Sequence, residues 1–480
     1  MVVAAGAATG VTTALLLPRG PVSAGQGVTL MATGTVLGVL ASLVLRRRLA
    51  VLLVLLAHVA ALELVRLPLV GPTVDGIHLS TFYGVVAFVT GRGFDALLLI
   101  PAAVVGAVYG AGLARYWSDG PRGRRWAVVV RRVVAAVAFA GLLAAAALVA
   151  QPARTDPIRG ADGRPLAGSI AELGTARVGG HDTGLLLRGQ SATAPVLLFL
   201  VGGPGGTELG TTRLFGEALE RDFVVATWDQ RGAGTSYSAL DPTSTLTFQQ
   251  AVDDTIELSE QLRTRFHQDR VYLLGNSYGT LLGVHAVQQR PDLYAAYIGT
   301  GQIVSPVATD RAFYDSTLTW ATRTGDTELA ATLRGNGPPP YATVFPYEQA
   351  LTHERDWNPY PRVPDYAANG EMPGNLGVGE YDLVQKVRAL PSFLDTFSVL
   401  YPQLQGIDLR TQATRLQVPV YLVEGEHEAP GRAVPARQWF DALDAPSKTW
   451  LELPQSGHVP SFEQPALFAD IMHTVRTAGG

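Results

Sequence analysis

The sequence predicts two fold classes in one chain. Residues 1–150 read as an all-α transmembrane region, and the remainder reads as an α/β domain with a mostly parallel sheet, helices on both faces and a late insertion. Three observations predict this. Long apolar runs crowd the first 150 residues, β-like and helical segments alternate from about residue 169, and Gly275-Asn276-Ser277-Tyr278-Gly279 stands between a strand-like and a helix-like segment.

At 480 residues the chain holds roughly three domains' worth of sequence at ~150 residues each. There are no cysteines, which excludes disulfides, thiolate metal sites and cysteine nucleophiles. Charge divides sharply. Residues 1–150 carry 12 Arg, no Lys and four acids (Glu63, Asp75, Asp95 and Asp119), for +8, which leaves −12 for residues 151–480. The acidic second part argues against a nucleic-acid partner, and the arginines of the first part flank apolar runs instead of forming a stripe.

The apolar runs are Val2–Leu17, Val28–Leu45, Leu49–Val65, Ala96–Ala114 and Val133–Ala150. Several approach the ~20 residues that cross a bilayer, so about five spans are expected. Arg46, Arg47 and Arg48 fall between the second and third runs, and Arg115, Arg122, Arg124, Arg125, Arg131 and Arg132 between the fourth and fifth. By the positive-inside rule both loops are cytoplasmic, which places everything after Ala150 outside. Thr81–Val89 is a further apolar stretch, broken by Gly91 and Gly93, and at that length it reads as interfacial or re-entrant. His58, inside a run with no acid at i±4, reads as a helix-packing residue.

Residues 151–168, rich in Pro, Gly and Arg, read as a linker. Thr175–Val178 and Gly184–Leu187, separated by Gly-Gly-His-Asp, predict a hairpin; Pro195–Val201 and Phe223–Trp228 predict buried strands. From Gln249 to Phe266 the spacing of Val252, Ile256, Ser259 and Leu262 predicts a helix, with Asp253, Asp254, Glu257 and Glu260 largely off the stripe. In a parallel sheet the chemistry gathers at the carboxyl ends of the strands. The pentapeptide sits at such an end, after Val271–Leu274, and its glycines let the chain turn sharply enough to expose Ser277 as a candidate nucleophile.

Two further glycine-rich loops follow strands. Gly202-Gly203-Pro204-Gly205-Gly206 is a candidate oxyanion loop, and a phosphate loop is the competing reading, although no Gly-Lys-Ser/Thr follows. Asp229-Gln230-Arg231-Gly232-Ala233-Gly234-Thr235-Ser236 is the second. Gly-Gly-Pro-Gly, Asp-Gln-Arg-Gly-x-Gly-x-Ser and Gly-x-Ser-x-Gly, in this order, resemble the proline iminopeptidase branch of the α/β-hydrolases, over roughly Gly168 to the C-terminus. The resemblance implies an α/β-hydrolase fold with a helical cap, Ser-His-acid chemistry on short peptides, other amides or esters, and no metal or organic cofactor. Taken with the apolar runs and the linker composition, this divides the chain into the transmembrane region 1–150, linker 151–168, core 169–304, cap 305–415 and core 416–480.

In this fold the acid and then the histidine follow the serine. His458, in Gln455-Ser456-Gly457-His458-Val459-Pro460 after a β-like run, is the candidate base. Glu428, in Gly425-Glu426-His427-Glu428-Ala429-Pro430, is the candidate acid, with Glu426 the alternative. The backbone N–H groups of Gly203, by analogy with related hydrolases, and of Tyr278, the residue after the nucleophile, are the candidate oxyanion donors. Two positions depart from the branch: Val201 stands where it has histidine, and Glu428 where it has aspartate. A membrane-tethered binding module with impaired catalysis is the alternative those departures raise. Glu348, Glu354, Glu380 and Asp382 are the insertion's candidates for holding a substrate amine, as the resemblance implies.

Overall fold

The structure, a computed structural model, describes residues 1–117, 125–364, 366 and 370–478, so Asp119, Arg122 and Arg124 lie outside the described residues. The chain forms two compact units: Met1–Ala153 with Asp382–Pro391, and Arg154–Tyr381 with Ser392–Gly480.

The first unit is helical: α1 (Val2–Leu16), α2 (Ala24–Leu45), α3 (Ala50–Arg66), α4 (Phe82–Phe88), α5 (Phe94–Tyr116) and α6 (Arg125–Val149). Among the described residues three helical stretches, Ala24–Leu45, Phe82–Tyr116 and Trp126–Val149, are long and apolar enough to cross a membrane, whereas α1 and α3 have 15 and 17 residues. The stretch around Thr81–Val89 is no separate piece. A single π-helical turn, Val89–Gly93, carries α4 straight into α5, because glycine there relaxes the helix without ending it. Helices α2 and α5 pack through glycines at i, i+4. A β-carbon on Gly38 would sit 1.9 Å from the Ala103 carbonyl oxygen, and one on Gly106 would sit 2.1 Å from that of Thr35. Such small-residue seams let helices approach where lipid supplies no hydrophobic drive. His58 is buried, with Nδ1 3.1 Å from Thr9 Oγ1, as a packing residue should be.

The second unit is built on one eight-stranded sheet: β1 (Ile170–Val178), β2 (His181–Gly189), β3 (Val196–Leu200), β4 (Val224–Trp228), β5 (Val271–Asn276), β6 (Tyr294–Thr300), β7 (Val420–Gly425) and β8 (Lys448–Leu453). The order is β1-β2-β4-β3-β5-β6-β7-β8; β1 and β2 pair antiparallel, β2 joins β4 antiparallel, and all other pairs are parallel. The central strands β3, β4 and β5 are buried throughout, which is why they read as unbroken apolar runs. The hairpin turn is shorter than its sequence suggests. Gly179 and Gly180, at φ 55° and 78°, supply both left-handed positions, so His181 and Asp182 already belong to β2.

Helices α7 (Leu209–Phe215), α8 (Phe248–Arg265) and α9 (Tyr278–Gln289) join the early strands. Of the α8 acids Asp254 turns inward, because Arg231 bonds it through Nε and Nη2 at 2.9 and 3.1 Å. The connection from β6 to β7 is mostly helical among the described residues, including Pro306–Thr324, Thr327–Asn336, Tyr347–Thr352, Glu354–Trp357 and Leu383–Leu400. From Arg154 onward the proline-rich segment lies along this unit, with Arg154 N–H donating to Gly379 O and Arg188 to Asp156 O.

Candidate active site

Ser277 sits between β5 and α9 with φ 52° and ψ −120°, a left-handed conformation that a residue with a β-carbon adopts only under constraint. Its N–H donates to Thr300 O at 3.0 Å, which fastens the turn to β6. Gly279 is obligatory: a β-carbon there would lie 2.1 Å from Leu200 O, so only glycine lets α9 start this close to β3. In the stretch 271–284 Ser277 alone is partly exposed; its neighbours are buried.

His458 follows β8, and its carbonyl accepts from the Asn276 amide at 3.4 Å, beside the serine. Its Nδ1 lies 2.7 Å from Glu428 Oε2. Glu428 follows β7, and its other oxygen accepts from Ala429 N–H at 2.7 Å and Arg432 Nε at 2.8 Å. Burial pushes this carboxyl upward, but the charges of Arg432 and His458 outweigh burial and hold it down at about 2. Arg432 in turn pairs with Glu354 and stacks over Phe313, with its guanidinium 4.6 Å from the ring centre. Glu426, the alternative acid, is exposed.

The structure thus brings Ser277, Glu428 and His458 to the carboxyl ends of β5, β7 and β8, on one edge of the sheet. It brings the candidate donors there as well. Gly203 has φ 121°, and a β-carbon on it would meet the N–H groups of Gly205 and Gly206 at 2.6 Å. A β-carbon on Gly202 would touch Ser277 Cβ at 3.3 Å, so the glycine loop passes directly over the serine. Tyr278 opens α9, where backbone N–H groups are free of helical partners. Val201, at the position of the branch's histidine, is wholly buried in the apolar core with Phe199, Val423 and Phe462. The loop is instead held from Gln230, whose amide donates to Val201 O at 3.4 Å.

The Asp-Gln-Arg-Gly motif turns inward to brace these loops. Asp229 is buried, accepts from Thr235 N–H and Oγ1 and from Tyr381 OH, and is pushed up to about 6 by burial. Ser236 Oγ donates to Asp229 O and accepts from Gly184 N–H.

Several site residues lay outside the sequence reading. Glu424, near the end of β7, is fully buried and accepts from Gln302 N–H at 3.0 Å; burial first and the Glu428 charge second push it up to about 8. Glu463 accepts from Gly457 N–H at 3.2 Å and Val459 N–H at 3.4 Å, gripping the loop on both sides of His458, and Tyr360 OH donates to the same carboxylate. The Glu428-x-x-x-Arg432 spacing was the one local signal for Arg432.

Beside His458 lies a cavity of about 170 Å3 whose lining includes Glu354, Arg355, Tyr360, Arg362 and Glu463. Of the insertion acids considered for a substrate amine, only Glu354 lines it. Glu348 is buried, Glu380 accepts from Thr155 Oγ1, and Asp382 accepts from Ala24 N–H within the first unit. His285 Nδ1–H donates to Leu281 O in its own helix, and His473 pairs with Asp222; neither lines this cavity.

A parallel sheet bearing a strained serine at one strand end and a hydrogen-bonded histidine–carboxylate pair at two others defines a hydrolase of the α/β class. A family model described as "Alpha/beta hydrolase family" matches residues 197–471, and the chain belongs to that family. A Bacillus subtilis (strain 168) protein named "Probable aminopeptidase YbaC" is 31% identical over 311 residues, which cover 63% of this chain and 96% of that protein. Among solved structures, a proline iminopeptidase-related protein from Thermus thermophilus aligns at a TM-score of 0.47 and 20% identity, covering 64% of this chain and 98% of its own. The proline iminopeptidase of Mycobacterium smegmatis aligns at 0.44 and 19%, covering 64% and 100%.

Proposed function

We propose that the protein is a membrane-anchored serine hydrolase that works through an acyl-enzyme and removes N-terminal residues from short peptides. The observation that carries this reading is the 2.7 Å contact between His458 and Glu428 beside a serine held at φ 52°. Ser277 Oγ attacks the scissile carbonyl as His458 Nε2 takes its proton, and the N–H groups of Gly203 and Tyr278 receive the oxyanion. His458 returns the proton to the leaving amine, the C–N bond breaks, and an ester links the acyl group to Ser277. Water, deprotonated by His458, then attacks that ester; the acid is released and the serine regains its proton. Glu428 fixes the imidazole with Nδ1–H toward itself and stabilises the imidazolium.

The aminopeptidase part is supported by the name carried by the Bacillus subtilis relative and by the motif resemblance. Anchoring is supported by the three apolar helices; with the 17-residue α3 crossing as well, both arginine-rich connections fall on the same side, and the positive-inside rule then favours an extracytoplasmic hydrolase unit. The test is hydrolysis of a panel of aminoacyl-arylamides and simple esters by the full chain in detergent or vesicles. The reading predicts turnover of arylamides bearing a free α-amine, whereas turnover of esters alone would move the assignment to an esterase.

A further inference from the structure

The cavity beside His458 carries an unusual charge pattern. Two acids face it, and both are already engaged. Glu354 is paired with Arg432, and Glu463 receives hydrogen bonds from Tyr360 OH and two backbone N–H groups. Two arginines face it as well, Arg355 and Arg362, and neither forms an ion pair or hydrogen bond with a carboxylate among the described residues. Arg362 has a fixed seat. Its guanidinium lies over the Tyr360 ring at 4.7 Å from the centre, and Tyr360 stacks on His427 at 5.2 Å with the planes 15° apart. Arg362 also stands near Glu463, whose carboxylate it helps to keep ionised against the upward push of burial.

Position tells which half of a substrate this space receives. The leaving group must lie within hydrogen-bond reach of the imidazole that protonates it, and His458 and Val459 form one wall of the cavity. A volume of about 170 Å3 has room for on the order of ten waters, enough for one or two residues. A planar guanidinium held over an aromatic face, with no carboxylate hydrogen-bonded to it among the described residues, is suited to bidentate recognition of one.

We infer that the cavity takes the amine-side residue of the scissile bond and that Arg362, with the more exposed Arg355 at its edge, binds that residue's free carboxylate. The substrates are therefore dipeptides, with the bond cut one residue from a C-terminal carboxylate. This rests on the peptidase reading above and narrows it.

The experiment compares kcat/KM of the full chain for a dipeptide and for the same dipeptide with its C-terminus amidated, alongside an aminoacyl-arylamide. The inference predicts that the wild type prefers the free acid by about tenfold or more, a charge-assisted pair's worth of discrimination, chiefly through KM. Arg362→Gln should bring the acid-to-amide ratio close to one, Arg362→Lys should keep part of it, and Arg355→Gln should lower it less. Each ratio is taken within one preparation, so a partly folded variant cannot imitate the effect. Equal rates on acid and amide by the wild type, or an unchanged ratio in Arg362→Gln, would overturn the inference even though arylamide cleavage continued. Absence of cleavage of every aminoacyl substrate, the arylamide included, would overturn the peptidase reading and this inference with it.

Discussion

Arg432 Nε donates to Glu428 Oε1 at 2.8 Å while Glu428 Oε2 faces His458 Nδ1 at 2.7 Å, so one buried carboxylate is clamped between a permanent cation and the imidazole. The relationship explains how a glutamate, one methylene longer than the aspartate of the resembling branch, is kept ionised and fixed. Its stem has more rotamers to lose, and the Arg432 bond with the Ala429 N–H selects one. Glu428→Gln should therefore lower kcat/KM by on the order of 10^3–10^4-fold, since the amide cannot hold the required tautomer. Glu428→Asp, which pulls the carboxylate back by a methylene, should cost about 10–100-fold. Steady-state kinetics on an aminoacyl-arylamide measures both.

Removing the cation should be visible in the pH profile. Burial is the largest influence on Glu428 and acts upward; Arg432 opposes it. In Arg432→Met the carboxyl should therefore take up a proton at a higher pH than the value of about 2 it has in the wild type, and activity on the acid side of the kcat/KM profile should be lost at a higher pH than in the wild type. An acid limb that stays in place would detach Arg432 from the chemistry.

Glu424 gives a prediction of opposite sign. Its folded value of about 8 is above the ordinary carboxyl value of roughly 4.3, so the folded state holds the proton more tightly than the unfolded chain does. Its contribution to stability is full below the unfolded value and is lost as pH rises through about 8. Glu424→Gln, which cannot ionise, should flatten the fall in thermal stability between about pH 5 and pH 9 and gain most over the wild type at the alkaline end. Thermal unfolding of both proteins across that range checks it.

The absence of cysteine makes topology directly measurable. Arg47 and Asp162 are both exposed. With a membrane-impermeant maleimide on intact cells, Asp162→Cys should label at once and Arg47→Cys only after permeabilisation. The reverse pattern would put the hydrolase unit in the cytoplasm.

How much of this was legible in the sequence depends on how far apart the cooperating residues lie. The elbow, the glycine loops and His458 are local patterns, each set by backbone geometry that a few neighbouring residues dictate, and all occupy the strand ends expected of them. The parallel strands were legible because burial on both faces leaves an unbroken apolar run. What escaped was built from distant partners. Glu354 reaches Arg432 from 78 residues away, and Tyr360 reaches Glu463 across 103. Glu424 belongs to a strand whose alternation says nothing about the Glu428 charge beside it. In the helical unit, Gly91 and Gly93 looked like breakers, yet a π-turn absorbs them within one long helix, and the Gly38 and Gly106 contacts need the partner helix to be seen at all.

The central claim is that Ser277 is an activated nucleophile, and covalent labelling tests it most directly. A fluorophosphonate probe applied to the full chain should label the wild type stoichiometrically, lose that label in Ser277→Ala, and lose most of its rate in Glu428→Gln. A well-folded wild type that takes up no probe, or labelling that persists in Ser277→Ala, would contradict the account.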